Sequence, residues 1–249
     1  MKTIKYDQIL SGMLLIYMMA EIFGVSSTGI AFVWNAGLMK LKADSWFLLT
    51  IPVGILCVKK CLDGERSVTC LTAASLWGLA ALIHVAVLCR RLIYFVTHRD
   101  AWEYTDQALK HVLSCSVMMG TGMAEEDMKY LIPDCNTTLL LSHIMAGRGI
   151  LIGIVASTMI TGILLRLLYQ GWKREGEDRI LILGSSLVMT VMLLINVLVN
   201  FRVIPFGIIP SFLPLMTYNT GDGMISLIMI LIPIALLIRP KEKHAAPFA

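Results

Sequence analysis

Residues 180–201 read Ile-Leu-Ile-Leu-Gly-Ser-Ser-Leu-Val-Met-Thr-Val-Met-Leu-Leu-Ile-Asn-Val-Leu-Val-Asn-Phe, a run without a single charged side chain. About 20 apolar residues in an α-helix are enough to cross the hydrocarbon core of a bilayer. A strand of a membrane barrel would alternate apolar and polar positions over about ten residues, whereas this run is continuous. A helix also satisfies its own backbone amides in lipid. The run therefore predicts a membrane-spanning helix.

Five more apolar runs accompany this one, and the composition indicates the same environment for all of them. Charged residues make up 15% of the 249 residues and hydrophobic residues 57%, whereas roughly a quarter of the residues in soluble domains are charged. The mean hydropathy is +0.77, and a soluble domain of this size has too little interior to bury so much apolar surface. We predict an all-α fold, a polytopic transmembrane helix bundle that forms one membrane domain. Its six spans would cover residues 9–34, 46–58, 68–89, 138–169, 180–201 and 220–238.

The basic residues in the short links predict the orientation of these spans. The links on one side would hold Lys2, Lys5, Lys59, Lys60, Arg66, Arg166, Lys173, Arg174, Arg179, Arg239, Lys241 and Lys243. The positive-inside rule makes that side cytoplasmic. We therefore expect both termini in the cytoplasm and one large extracellular loop over residues 90–137. The net charge of +4 is explained by this orientation, and no nucleic-acid partner is expected.

Three further features qualify this layout. The apolar run over residues 9–34 is longer than the core of a signal peptide, so we expect it to be a retained helix. Residues 202–219 are apolar but contain three prolines, which favours a re-entrant loop packed against protein. The six cysteines include no Cys-x-x-Cys pair, and we expect no metal site. A disulfide between Cys115 and Cys135 is left open, because it requires that the loop face an oxidising space.

Three stretches in a fixed order resemble a known family. The first comprises Ile195-Asn196, Pro205, Gly207 and Leu213-Pro214-Leu215-Met216-Thr217-Tyr218. The second is Ile132-Pro133-Asp134-Cys135-Asn136-Thr137-Thr138-Leu139-Leu140-Leu141-Ser142. The third, looser one comprises Arg91, Gln107-Ala108, Gly120 and Gly122. Together they are similar to motifs of the SEDS family (shape, elongation, division and sporulation), which includes FtsW, RodA and SpoVE.

The resemblance implies a multi-pass protein of the bacterial plasma membrane. Members of the family polymerise the glycan strand of peptidoglycan from lipid II, together with a class B penicillin-binding transpeptidase. Membrane lipid, lipid II and such a transpeptidase are therefore the expected partners. The six runs would correspond to the family's fifth to tenth helices, and the family's first four helices would have no counterpart.

Departures from the family's motifs argue against an intact active site. Thr138 stands where the family has its catalytic Asp, and a hydroxyl is a poor general base near neutral pH. Asp134, about one helical turn earlier, is the candidate substitute. Ala146 and Gly147 replace a further pair of acids. We therefore expect a catalytically degenerate or accessory protein without a cofactor.

Two alternatives stay open. One is an active polymerase with a rearranged site, which would need a divalent cation such as Mg²⁺. The other is a small transporter or scaffold unrelated to peptidoglycan.

Six other residues are candidate site residues, and all but Tyr218 have a structural alternative. Arg91, His143, Tyr218 and Asp222 would contact substrate by analogy with the family. The alternatives are an interfacial anchor for Arg91, a packing role for His143 and a helix cap for Asp222. Glu21 and Arg148 would lie near mid-membrane, where lone charges are costly. We expect them to form an intramembrane pair that fixes helix packing, and the alternative is a lipid-headgroup or proton site.

Overall fold

The computed structural model describes residues 43–64, 67–97, 99–131, 138–205, 211–217 and 220–238. These residues form eight α-helices and no strand. The helices are α1 Ala43–Leu62, α2 Val68–Thr97, α3 Arg99–Ser114, α4 Glu125–Leu131, α5 Leu140–Arg148, α6 Ile150–Trp172, α7 Gly176–Asn200 and α8 Thr220–Ile238. The predicted span over residues 9–34 lies outside the described residues.

Three of the helices, α2, α6 and α7, are long and apolar enough to cross a membrane. A shorter apolar helix covers Asp222–Ile238 within α8. The all-helical architecture is thus confirmed for the described residues, and the total of six spans stays a prediction. The predicted outer loop differs from an open loop, because α2 extends to Thr97 and α3 and α4 follow it.

Helix α7 is the centre of the bundle and packs against α1, α5, α6 and α8. Its buried residues Met189, Met192 and Leu193 belong to one apolar cluster with residues of α1, α5, α6 and α8. Helices α1 and α7 approach each other closely at Gly184, which has no side chain. A Cβ on Gly184 would lie 3.0 Å from the Cβ of Pro52. Such contacts stabilise helix pairs in lipid, where the hydrophobic effect between helices is absent.

The predicted span over 138–169 is divided into two helices at Gly149. This residue has φ 105 and ψ 151, a backbone conformation essentially restricted to glycine. Helix α5 folds back onto α6 after this break. The contacts that show this are those of Leu141 and Met145 with the Cβ position of Gly153. In a straight helix Leu141 and Gly153 would be about 18 Å apart.

A segment of the outer region closes this break. The carbonyls of Val117 and Met118 accept hydrogen bonds from the amides of Ile150 and Leu151 at 2.9 and 3.2 Å. These two amides begin α6 and have no partner within their own helix. Arg148 is therefore the last residue of α5, next to this break. Its expected location near mid-membrane, which assumed one continuous helix, stays a prediction.

The predicted cytoplasmic links meet at one end of the bundle. Lys60 of α1 forms an ion pair with Glu177 of α7 at 2.8 Å. Arg174, between α6 and α7, donates from Nη2 to the carbonyl of Leu237 at 2.6 Å, in the last turn of α8. Aromatic rings accompany the cations there, with Lys173 over Tyr169 and Arg179 over Trp172. Basic and aromatic side chains of this kind are typical of a membrane interface.

The break at Gly149 yields a first prediction. Gly149→Ala should lower the Tm of the purified protein by about 5 °C or more, because alanine rarely adopts this backbone conformation. Its Cβ would also meet the backbone of Met118 and Met119, each at 2.9 Å. Thermal unfolding in detergent measures the effect.

The matched control is Gly162→Ala in α6, where, apart from the adjoining helix backbone, no atom of the described residues lies within 4 Å of the new Cβ. Removing a glycine from a helix there should stabilise it by roughly 0.5–1 kcal/mol. Equal Tm values for the two variants would contradict the role of Gly149.

Candidate functional site

Thr138, which the resemblance aligns with the catalytic Asp of the SEDS family, lies at the end of the bundle opposite the basic links. It is 8% exposed. Its main-chain carbonyl accepts one hydrogen bond from Nδ2 of Asn196 and one from Nδ2 of Asn200, both at 2.9 Å. The asparagines lie one turn apart near the end of α7. Thr138 is therefore held by its backbone to α7.

Asn200 also caps helix α5 from a distance. Leu139 is the N-cap residue of α5, and no side chain caps the helix locally. The side-chain oxygen of Asn200 accepts the amide proton of Ser142 at 2.8 Å and the hydroxyl proton of the same residue at 2.7 Å. A local N-cap side chain would normally accept from this third amide of the helix. Helix α5 thus begins correctly only when α7 is packed against it.

The four residues Thr138, Ser142, Asn196 and Asn200 form a neutral, buried network that we call the amide clasp. Ser142, Asn196 and Asn200 each have 0% exposure. Asn200 Nδ2 directs its second proton to the carbonyl of Asn196 at 2.8 Å. None of the four side chains ionises near neutral pH, so none is a general base. The clasp fixes helices and supplies no group that accepts a proton.

Asp222 lies in α8 and His143 lies in α5. Asp222 is 4% exposed in the first turn of α8, where an acid complements the helix dipole. A helix-capping role for Asp222, the structural alternative, stays a prediction. His143 is half-buried and follows Ser142 on α5. Contact of either residue with a substrate stays a prediction.

The other predicted site residues are described only in part. Arg91 lies within α2, but its side chain is outside the described part of the structure. Asp134, Tyr218, Glu21 and Cys135 also lie outside it. Arg148 is exposed at the end of α5. The Glu21–Arg148 pair and the Cys115–Cys135 disulfide therefore stay predictions. Within the described ranges, no group of three His, Cys, Asp or Glu residues is placed to hold a metal ion.

An ion pair between Asp106 and Arg202 was missed by the sequence analysis. Nε of Arg202 donates to Oδ1 of Asp106 at 2.7 Å, and Nη2 donates to Oδ2. The pair joins α3 to the end of α7 and lines a cleft of ≈ 360 Å³, together with Phe95, Glu103, Thr105, Leu109, Val199, Val203, Ile204 and Pro205. The two partners are 96 residues apart, and neither local sequence indicates the other.

The backbone at Arg202 explains how its side chain reaches α3. Its amide donates to the carbonyl of Val199 at 3.0 Å, and the amide of Val203 donates to the carbonyl of Leu198 at 2.8 Å. This is the Schellman pattern, which usually has glycine in the left-handed position. Here Arg202 occupies it with φ 63, at a cost of roughly 1 kcal/mol. The hydrogen bonds and charge of Arg202 lower the pKa of Asp106, and Asp106 raises the pKa of Arg202.

A second prediction concerns the amide clasp. Ser142→Ala should lower the free energy of unfolding by about 1 kcal/mol, because Oδ1 of Asn200 loses a buried donor. Asn200→Leu should cost more, since it also removes the cap of α5 and both bonds to Thr138 and Asn196. Denaturant titration in detergent gives the order of the variants.

Ser186→Ala is the matched control for the clasp. Ser186 is 1% exposed, and its hydroxyl has no hydrogen-bond partner among the described residues. Its removal should leave stability unchanged or raise it. A loss at Ser186 equal to that at Ser142 would contradict a specific role for the clasp.

A third prediction separates backbone strain from charge at Arg202. Arg202→Gly should be more stable than Arg202→Ala by roughly 1 kcal/mol, because both lose the ion pair but only glycine relieves the left-handed strain.

The ion pair should also depend on pH. Because the folded-state pKa of Asp106 is lowered, the stabilisation of the fold by its ion pair is complete above the ordinary value of 3.8. This stabilisation fades as the pH falls through the folded-state pKa. The difference in Tm between the wild type and Arg202→Gly should shrink accordingly. A difference that stays constant down to pH values at which Asp106 is protonated would contradict the electrostatic account.

No protein-family model and no curated protein sequence matches the chain.

Proposed function

We propose that this chain is a SEDS-like protein of the bacterial plasma membrane that takes part in peptidoglycan synthesis without catalysing glycan polymerisation. The observation that carries the proposal is the environment of Thr138. At the position of the family's catalytic carboxylate, a buried threonine is held through its carbonyl by Asn196 and Asn200.

The chemistry of polymerisation explains why this environment favours a non-catalytic role. Transfer of a glycan strand needs a group that removes a proton from the acceptor hydroxyl as the new bond forms. The amide clasp consists of amides and hydroxyls, which donate and accept hydrogen bonds but retain their protons near neutral pH. The polar groups of the clasp also hydrogen-bond to one another across α5 and α7. We therefore assign this position a structural role.

The two ends of the bundle differ in charge, and this difference supports the proposed orientation in the membrane. The basic links meet at one end, through the Lys60–Glu177 and Arg174–Leu237 contacts. The Asp106–Arg202 pair and the amide clasp lie at the other end of α7. A cytoplasmic basic end would place α3 and the clasp on the outer side, where lipid II is polymerised.

The proposed role is that of an accessory protein that binds lipid II or a class B penicillin-binding protein. Retention of the helical frame without the base would allow recognition to persist after loss of turnover. The membrane lipid itself is the third expected partner.

A fourth prediction tests this function. The full chain, in nanodiscs with fluorescent lipid II, should bind the lipid but form no glycan strands, with or without a purified class B penicillin-binding protein. Strand length is read on a gel and binding by fluorescence anisotropy, with an active SEDS polymerase as the positive control.

Two outcomes would contradict the proposal in different ways. Glycan strands that disappear in Asp134→Ala would establish an active enzyme in which Asp134 replaces the family's Asp. Absence of binding to both lipid II and the transpeptidase would indicate a membrane protein unrelated to peptidoglycan. Asp63→Ala, at an exposed position beyond α1, is the control for a general effect of removing an acid.

A further inference from the structure

Two cysteines face each other where α1 and α2 form a helical hairpin. Cys61 lies in the last turn of α1 and Cys70 in the first turn of α2. Their sulfur atoms are 3.3 Å apart, although the residues are nine positions apart in the chain. Both are reduced thiols in the structure. The chain contains no Cys-x-x-Cys spacing, and these two thiols become neighbours because α1 and α2 pack against each other.

Several contacts fix the two thiols in this position. The hydroxyl of Ser67 accepts the amide proton of Cys70 at 3.2 Å and thereby caps the start of α2. The Cys70 thiol donates to the carbonyl of Cys57 at 3.3 Å. Cys57 and Cys70 are buried in one cluster with Ala73 and Ala80, and these small side chains let the two helices approach closely. The thiols are therefore neighbours because the helices pack, and their meeting does not depend on a flexible tail.

We propose that Cys61 and Cys70 are a redox-active pair that an oxidant such as hydrogen peroxide converts into an intramolecular disulfide. Cys61 is half-buried, whereas Cys70 is only 1% exposed. The oxidant therefore reaches Cys61 first, and Cys70 is the resolving thiol.

The reaction balances with peroxide as the only co-reactant. The Cys61 thiolate attacks one peroxide oxygen, the O–O bond breaks, and hydroxide leaves with a proton as water. The Cys70 sulfur then attacks the sulfenic sulfur of Cys61, the S–O bond breaks, and a second water leaves. Two thiols lose two electrons and two protons, and peroxide is reduced to two water molecules.

The disulfide would change the end of the bundle at which the basic links meet. It would close the short link between α1 and α2, which reduces the entropy of the unfolded chain. Lys60, next to Cys61, is paired with Glu177 of α7, so the new bond would form beside the contact between α1 and α7. If this end faces the cytoplasm, as the proposed function assumes, the bond would form only transiently under oxidising conditions. The formation of the bond does not depend on that orientation.

The test uses the purified full chain, reduced and then exposed to hydrogen peroxide or diamide. Intact mass should fall by about 2 Da, and peptide mapping without reductant should join the peptides of Cys61 and Cys70. The Tm should rise by several degrees and return to its starting value on addition of dithiothreitol. Cys61→Ser and Cys70→Ser should each abolish the linked peptide.

Cys57→Ala is the matched control, because it removes a neighbouring thiol but keeps the carbonyl that accepts from Cys70. It should leave the Cys61–Cys70 link unchanged. A link from Cys61 to Cys57 or Cys115, or sulfinic acid at Cys61 with no linked peptide in the wild type, would overturn the proposal. Protection of both thiols from alkylation by added Cu(I) or Zn²⁺, without formation of the disulfide under oxidant, would do so as well. These results concern only the thiols, so a failed lipid II assay leaves them unaffected.

Discussion

Every backbone amide removed from water must find a partner, and this constraint explains the irregular parts of the structure. In lipid no solvent replaces a missing hydrogen bond, so helix ends are the points at which the fold needs help. At the break between α5 and α6, the carbonyls of Val117 and Met118 supply that help. At the start of α5 it comes from Asn200, and at the end of α7 from the Schellman turn at Arg202. In the first two cases the partner of the helix end comes from a distant segment of the chain, and in the third it is local.

The sequence predicted those parts of the fold that depend on apolar length alone. The runs at 68–89 and 180–201 correspond to α2 and α7 because an uninterrupted apolar run has few alternatives to a helix in lipid. The run at 138–169 was predicted as one helix because it is mostly apolar, with Arg148 and Arg166 as its only Lys, Arg, Asp or Glu residues. Nothing in its periodicity distinguishes Gly149 from a glycine that is tolerated within a helix. The bend depends on carbonyls about 30 residues earlier in the chain, which a local pattern cannot reveal. For the same reason α3 and α4 were expected only as part of a loop.

The candidate site shows the same division. The resemblance identified Thr138, Ser142 and Asn196 as members of ordered motifs, and the structure brings these three together. It did not identify Asn200, which hydrogen-bonds to all three, because an asparagine at the end of an apolar helix has many roles. The Asp106–Arg202 pair was also missed, since its two partners come from separate elements. Pairings between distant polar residues follow from packing, and sequence alone gives no register for them.

The two ends of α7 are stabilised by different chemistry, and this difference bears on function. At one end a neutral amide clasp and a strained arginine fix α3 and α5 to the bundle. At the other end, the Lys60–Glu177 ion pair joins α1 to α7, and the hairpin of α1 and α2 carries two adjacent thiols. Buried asparagines hold helices together in lipid without the cost of a buried charge. The hydrogen bonds around Thr138 therefore contribute helix packing without a buried charge, which agrees with the non-catalytic role proposed for this position.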